Sequence, residues 1–190
     1  DGYFSLIDFQ TVKNFQGASV MIIPLTERIK VIRPGAKSVF PYSNSLLIED
    51  DIVTVIDAGA GGNAYAEIIP ERVNSLLLTH IHFDHIHGAY LFSNAGITVA
   101  PEELEAYRDI KVYQDLLGFY LWDRLMGRPR DDTLNRVIAA HDDVKMPVLS
   151  DFNVTGCFSD NMVINTGHVE FRALHTPGHS PGHYVFYFEK

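Results

Sequence analysis

Ser75-Leu76-Leu77-Leu78-Thr79-His80-Ile81-His82-Phe83-Asp84-His85 runs from an apolar segment straight into three histidines and an aspartate spaced H-x-H-x-D-H. The apolar part, Leu76 to Thr79, reads as a short buried strand, so the polar part leaves a strand end. In an extended chain, residues two apart point the same way, and His80 and His82 can therefore bind one metal ion together. Asp84 and His85 lie past the bend and can serve a second ion. Neutral imidazole and carboxylate suit zinc, and also iron or manganese. A lone histidine is usually a surface group or a satisfied core group. This density, directly after a buried strand, points instead to a metal site.

Outward from that stretch, Ala18 to Leu25 is apolar and β-branched and reads as a strand. Ser45 to Glu49 and Ile52 to Asp57 flank Asp50-Asp51 and predict a hairpin whose turn lacks the usual glycine. Ala58-Gly59-Ala60-Gly61-Gly62 turns the chain, and Asn63 is the expected cap of a helix through about Ile69. His85 to Phe92 opens a predicted helix, Ile97 to Ala100 a strand, and Pro101-Glu102-Glu103 a helix with proline and acids in its first turn. Residues 102–140 predict an aromatic helical insert, with Val112, Leu116, Leu117, Tyr120, Leu121 and Leu125 on one face at helical spacing. Phe119 and Trp122 widen that face. It either packs on the core or forms a lid or pocket wall over the metal site. Met162 to Asn165, His168 to Leu174 and Tyr184 to Phe188 are the closing strands. Strands, then alternation with helices, then strands again predict one α/β or α+β domain over residues 1–190.

The chain has 190 residues, 46% of them hydrophobic and 21% charged, which suits a globular domain with a sizeable core. A net charge of -9 disfavours a nucleic-acid partner. Arg124, Arg128 and Arg130 cluster, but Asp131 and Asp132 follow at once, and the stretch reads as a solvated loop. The single cysteine, Cys157, excludes an intrachain disulfide and a thiolate zinc site and fits a reducing compartment. No apolar run approaches the ~20 residues of a membrane helix and no leader is visible, so a cytoplasmic location without a membrane partner is the expectation. The first residue is Asp1 rather than methionine, as in a processed or partial chain.

His175-Thr176-Pro177-Gly178-His179-Ser180-Pro181-Gly182-His183 is the second dense feature. Two Pro-Gly pairs force tight turns that hold a histidine rigidly. Together, Thr79 to His85, Thr176 to Gly182 and the strand pair ending in Asp57-Ala58-Gly59 resemble the metallo-β-lactamase-fold hydrolases over about residues 40–190. The Thr-Pro-Gly-His-Ser-Pro-Gly-His run is similar to glyoxalase-II-like and lactonase-like members. The resemblance implies a four-layer αβ/βα sandwich. It implies His80, His82 and His179 at a first metal ion, Asp84 and His85 at a second, and Asp57 as a support beneath them. His175 and His183 are expected to be structural, and His87 surface-exposed; His141 and His168 carry no motif.

Complete members carry a bridging aspartate after a later Gly-Asp strand, and one more histidine. This chain stops at Lys190 before such elements, and Asp160 lacks their context. The expectation is the N-terminal part of a longer enzyme, with its C-terminal half incomplete and a homo-oligomer or partner left open. The implied activity is a metal-dependent hydrolase, with one or two Zn2+ ions, or Fe or Mn, and Asp84 as catalytic group. The substrate would be a small-molecule ester, lactone, thioester or phosphoester. The alternatives are a mononuclear iron oxidoreductase similar to persulfide dioxygenases, and a non-catalytic metal-stabilised fragment.

Overall fold

The computed structural model describes residues 21–35, 38–127 and 130–189, without the side chains of Asp123 and Leu134. Strands β1 (Ile22–Pro24), β2 (Ile29–Ile32), β3 (Ser45–Ile48), β4 (Thr54–Ile56), β5 (Ser75–Leu77), β6 (Gly96–Val99) and β7 (Val154–Cys157) form one sheet in sequence order. Neighbours from β1 to β4 are antiparallel, and those from β4 to β7 are parallel. The parallel half sets the C-terminal ends of β4 and β5 side by side, where open α/β sheets gather ligands. Asp57 leaves one of those ends, and Thr79 and His80 follow the other. A second, antiparallel sheet holds β8 (Met162–Asn165), β9 (Glu170–His175) and β10 (Tyr184–Phe188), with β9 central.

Strand alternation sorts the core into two compartments. Leu47, Val55 and Leu76 face the helical side, packing with Tyr65, Phe92 and Tyr107. Their neighbours Ile48, Ile56 and Leu77 face the second sheet, packing with Phe171, Ala173 and Tyr184. Each such aliphatic side chain removed from water stabilises the fold by about 1.5–3 kcal/mol. Polar links staple the sheets at both ends. Tyr184 N donates to Thr79 O at 2.9 Å beside the histidine motif. At the other end the Asp50 carboxylate, in the β3–β4 turn, accepts from Thr166 Oγ1, His168 N and Val169 N at 2.9, 2.7 and 2.8 Å. The Asp50 carboxylate thus ties the β3–β4 turn to the turn at residues 166–169 of the second sheet.

The result is helices, large sheet and small sheet, an α/β arrangement with three of the expected sandwich layers. The outer face of the small sheet exposes Val163, Val185 and Tyr187, and among the described residues every α-helix precedes β7. The first strand is shorter than expected, and residues 18–20 of that expectation lie outside the described residues, as does Arg128.

The helical expectations need correction. Helix α1 spans only Gly62–Tyr65, with Gly61 rather than Asn63 at its cap. Asp143 supplies the missing acceptors, taking Gly62 N on its carbonyl at 2.9 Å and Asn63 N on its carboxylate at 3.2 Å. Pro70 forces Ile69 into extended backbone and stops the helix short. Helix α2 is Phe83–Ile86, followed by a 3-10 turn at Ala89–Leu91. Residues 102–140 are helical as expected, but in short pieces: a 3-10 segment at Pro101–Tyr107, α3 (Ile110–Leu116), a 3-10 turn at Phe119–Leu121, α4 (Trp122–Met126) and α5 (Thr133–Ala139). Gly118, at φ 72°, takes the left-handed conformation that ends α3. The apolar stripe consequently splits: Val112 and Leu116 pack on the core, whereas Tyr120 and Leu125 are 67% and 68% exposed.

Candidate metal centre

Three imidazole nitrogens converge above the ends of β5 and β9. His80 Nε2 lies 3.1 Å from His82 Nδ1, which lies 2.9 Å from His179 Nε2. Ligands of a tetrahedral ion with nitrogens at ~2.0–2.1 Å stand ~3.3 Å apart, so this donor set fits a small divalent metal. The β5 end supplies His80 and His82, and the β9–β10 turn supplies His179. Gly178 reaches φ 149° immediately before His179, backbone that glycine adopts without strain. His80 is buried, His82 half-buried and His179 exposed, leaving the group open to solvent on one side.

Asp57 explains why the His80 ring presents a lone pair to this point. Its carboxylate accepts Thr79 N at 2.8 Å and the Thr79 hydroxyl at 2.9 and 3.0 Å. With its proton committed to Asp57, Thr79 Oγ1 is the acceptor for His80 Nδ1–H at 3.0 Å. His80 Nε2 is then the unprotonated nitrogen. Asp57 also accepts His85 Nδ1–H at 2.8 Å, freeing His85 Nε2 in the same way. Such outer contacts fix tautomer and ring orientation in metal sites. Asp57 itself sits at φ 61° and is 6% exposed.

Electrostatics keeps most of these rings neutral, the form that binds metal. Burial, then the neighbouring rings His85, His82, His183 and His179, push His80 down to about 2. Burial and His179 lower His82 as well. His85 goes the other way. Burial opposes its protonation, but the hydrogen bond and charge of Asp57, with the charge of Asp84, outweigh that and raise its pKa. Asp84 Oδ2 stands 3.7 Å from His85 Nε2, so the two residues expected at a second ion are adjacent. They are not part of the three-nitrogen group.

Backbone packing brings Asp84 and His85 over the Asp57-Ala58-Gly59 turn. Ala58 N donates to His85 O at 2.7 Å, and the Ser43 hydroxyl to Asp84 O at 2.7 Å. A Cβ on Gly59 would lie 1.7 Å from Asp84 O, which is why that place takes glycine. His87 corrects an expectation: it is 1% exposed, stacks on Phe83 at 5.3 Å and uses Nε2–H on Gly59 O at 3.2 Å. His175 binds Pro181 O and stacks on Tyr184. His183 meets Thr176 Oγ1 at 2.9 Å; its ring centre is 5.1 Å from that of His80, outside the convergent group. Asp160 accepts His175 N at 3.0 Å, a structural contact.

Two residues went unrecognised in the sequence. Glu103 read as a helix-start acid, yet it is 1% exposed and its Oε1 accepts Gly182 N at 3.2 Å, within the His179 turn. Burial raises its pKa, against the lowering influence of the Ser180 side chain and the Gly182 and Ile81 backbones. Ser180 Oγ and Glu103 Oε2 nevertheless fall outside full hydrogen-bond geometry. Glu103 thus sits between the turn carrying His80 and His82 and the turn carrying His179. Arg130 read as part of a solvated loop, yet its guanidinium lies 4.0 Å above the Phe119 ring. Arg130 and Phe119 border a cavity of about 460 Å³ that also touches His82 and Asp84. Ile110, Tyr113, Gln114 and Leu117 form another wall, so the 102–140 segment serves both the core and this cavity.

A second group with close ligand atoms, Asp50, Asp51 and His168, lies at the opposite staple. There Asp50 is already engaged by the hydrogen bonds that join the sheets. Among the described residues no helix is long and apolar enough to cross a membrane.

Comparison with known proteins bears on the fold. An uncharacterized protein of Aquifex aeolicus is 28% identical over 166 residues, 85% of this chain and 65% of that protein. The probable metallo-hydrolase YqgX of Bacillus subtilis is 29% identical over 149 residues, 74% of this chain and 57% of that protein. The chain thus spans less than two thirds of the length of either relative. BJP-1, a subclass B3 metallo-beta-lactamase of Bradyrhizobium japonicum, shares the fold with a TM-score of 0.58 at 16% identity, over 89% of this chain and 56% of that one. The flavodiiron protein from Giardia intestinalis shares it with a TM-score of 0.52 at 14% identity, over 90% and 38%. Residues 39–190 match the family model described as the metallo-beta-lactamase superfamily, and on that match over most of its length the chain belongs to this superfamily.

Proposed function

We propose that this chain carries the first metal site of a metal-dependent hydrolase acting on a small organic ester, lactone, thioester or phosphoester. The observation that carries the reading is the convergence of His80 Nε2, His82 Nδ1 and His179 Nε2 beside an open cavity. Held there by His80, His82 and His179, a divalent ion would supply Lewis acidity and would lower the pKa of a bound water to about 7. Asp57 holds the His80 and His85 tautomers that leave Nε2 unprotonated toward the site. Asp84, half-buried at the cavity mouth, orients the attacking water and passes its proton toward the leaving group. The mainly apolar cavity walls receive the substrate's organic arm and exclude water from it. Asp84 and His85 would serve a second ion. The Bacillus subtilis relative, a probable metallo-hydrolase, supports the hydrolase class and leaves the substrate open.

The test is to load the chain with zinc or manganese, measure bound metal, and assay matched ester, lactone, thioester and phosphoester substrates. Turnover that Asp84→Ala abolishes while the three-histidine ion stays bound is the expected result. Equal loss of metal and activity would remove the separate role of Asp84. No hydrolysis, with oxygen consumption by an iron-loaded chain, would replace the hydrolase by an oxidoreductase.

A further inference from the structure

We infer that the cavity beside His82 and Asp84 is a specificity pocket in which Arg130 selects substrates ending in an anionic oxygen group on an apolar arm. The inference rests on the hydrolase reading for the position of the reacting bond, and adds the chemistry of the part that does not react.

The cavity volume of about 460 Å³ lies in the range of small-molecule sites, roughly 300–1,000 Å³. Its walls are mainly apolar, with Phe40, Phe83, Ile110, Leu117, Phe119 and Met146 among them. Phe40, Ile110 and Met146 are 46%, 53% and 47% exposed. Large apolar side chains left wet around one concavity mark a surface that a ligand covers. An apolar arm laid there takes them out of water.

The polar groups are few and separated by sign. Among the described residues lining the cavity, His82 and Asp84 stand at the metal side, Arg130 is the one permanent cation, and Gln114 and Asn135 are neutral. Arg130 is exposed, but it is not a freely waving side chain. Its guanidinium is seated 4.0 Å above the Phe119 ring, a geometry in which the ring's negative face holds the cation. A cation held over a ring face by its charge keeps its N–H donors available, and the guanidinium fork matches carboxylate and phosphate oxygens. The nearest carboxylates in sequence are turned to another task at the start of α5. Asp131 accepts Thr133 N at 3.0 Å and Asp132 accepts Asn135 Nδ2 at 2.6 Å. In a chain of net charge -9, a cation lining an apolar cavity is a feature that favours an anionic ligand at that place.

The experiment uses non-hydrolysable probes so that binding is read apart from chemistry. The zinc-loaded chain is titrated calorimetrically with a medium-length anilide ending in carboxylate, its uncharged N-methylamide, and its phosphonate counterpart. The carboxylate should bind about tenfold tighter than the N-methylamide, as a charge-assisted bidentate contact provides. Arg130→Met should erase that preference without changing metal content or melting temperature, and Arg130→Lys should keep part of it. A phosphonate stronger than the carboxylate would identify a phosphate-ended arm; the reverse identifies a carboxylate-ended one. A preference that survives Arg130→Met would place the anion on the metal and overturn the inference, as would failure of every probe to bind. The corresponding thioesters separate the two readings. Binding that depends on Arg130 without hydrolysis sinks the hydrolase and keeps the pocket, whereas hydrolysis indifferent to charge keeps the hydrolase and sinks the pocket.

Discussion

Replacing Asp57 with asparagine perturbs the metal centre without touching a proposed ligand. The carboxylate accepts from Thr79 N, Thr79 Oγ1 and His85 Nδ1 at 2.8–3.0 Å. An amide can keep its oxygen on Thr79 N, but its NH2 must then face Thr79 Oγ1 and His85 Nδ1. His85 can meet a donor only by moving its proton to Nε2, which withdraws that nitrogen from the site. The direct loss is one charge-assisted hydrogen bond, about 1.5–3 kcal/mol, reduced in part because His85 is half-buried and reaches water. For a chain of this size each kcal/mol lowers the melting temperature by roughly 2–4 °C. The pH dependence carries a sign. The folded-state pKa of His85 is raised, so its contribution is full below the ordinary value near ~6.5 and fades as pH climbs through the raised one. Thermal melts of the metal-free native chain and Asp57→Asn should therefore differ most at about pH 5.5 and least at about pH 9. Nitrogen chemical shifts of His85 should report the exchanged tautomer. A variant as stable as the native chain, or a gap that widens with rising pH, would refute the network argument.

Acid should destabilise the metal-free chain. His80, His82, His87 and His183 all have lowered pKa values in the fold, chiefly through burial, so the unfolded chain takes protons first and stability falls as pH drops below ~6.5. Denaturant midpoints that stay level between pH 7.5 and about pH 5 in Asp57→Asn, where the opposing His85 effect is removed, would contradict this. Glu103→Ala should weaken zinc binding by about tenfold, with Glu103→Gln restoring part of the affinity through Gly182 N. A fall in melting temperature at unchanged zinc affinity would reduce Glu103 to a packing role. Gly59→Ala forces a Cβ against Asp84 O and should cost at least the ~1–3 kcal/mol of an overpacked core, read as a lower denaturant midpoint.

What was legible in the sequence was local. Period-two spacing placed His80 and His82 on one side of a strand end, and the Pro-Gly turns marked the stretch from His175 to His183 as one that holds a histidine rigidly, because both signals depend on neighbours along the chain; the choice of His179 within it came from family resemblance. The Asp57-Ala58-Gly59 turn was legible for the same reason, and its long-range meaning came from family resemblance. The illegible parts depend on contacts across the fold. Asp143 caps α1 from about eighty residues away, so composition around Asn63 named the wrong cap. Gly118 divides an apolar stripe that spacing alone joined into one face. His87 is buried because Gly59 O and the Phe83 ring happen to meet it, and Glu103 because the His179 turn comes down upon it. A charge beside acids, as at Arg130, looks solvated until the ring beneath it is seen.

The central claim is that His80, His82 and His179 hold one divalent ion. The direct measurement is zinc stoichiometry and affinity of the native chain beside His82→Ala and His179→Ala, with circular dichroism to establish that all three are folded. The account predicts at least one tightly held zinc per native chain and a loss of that ion in each variant. Zinc retained with unchanged affinity after either substitution, or absent from a folded native chain, would contradict it.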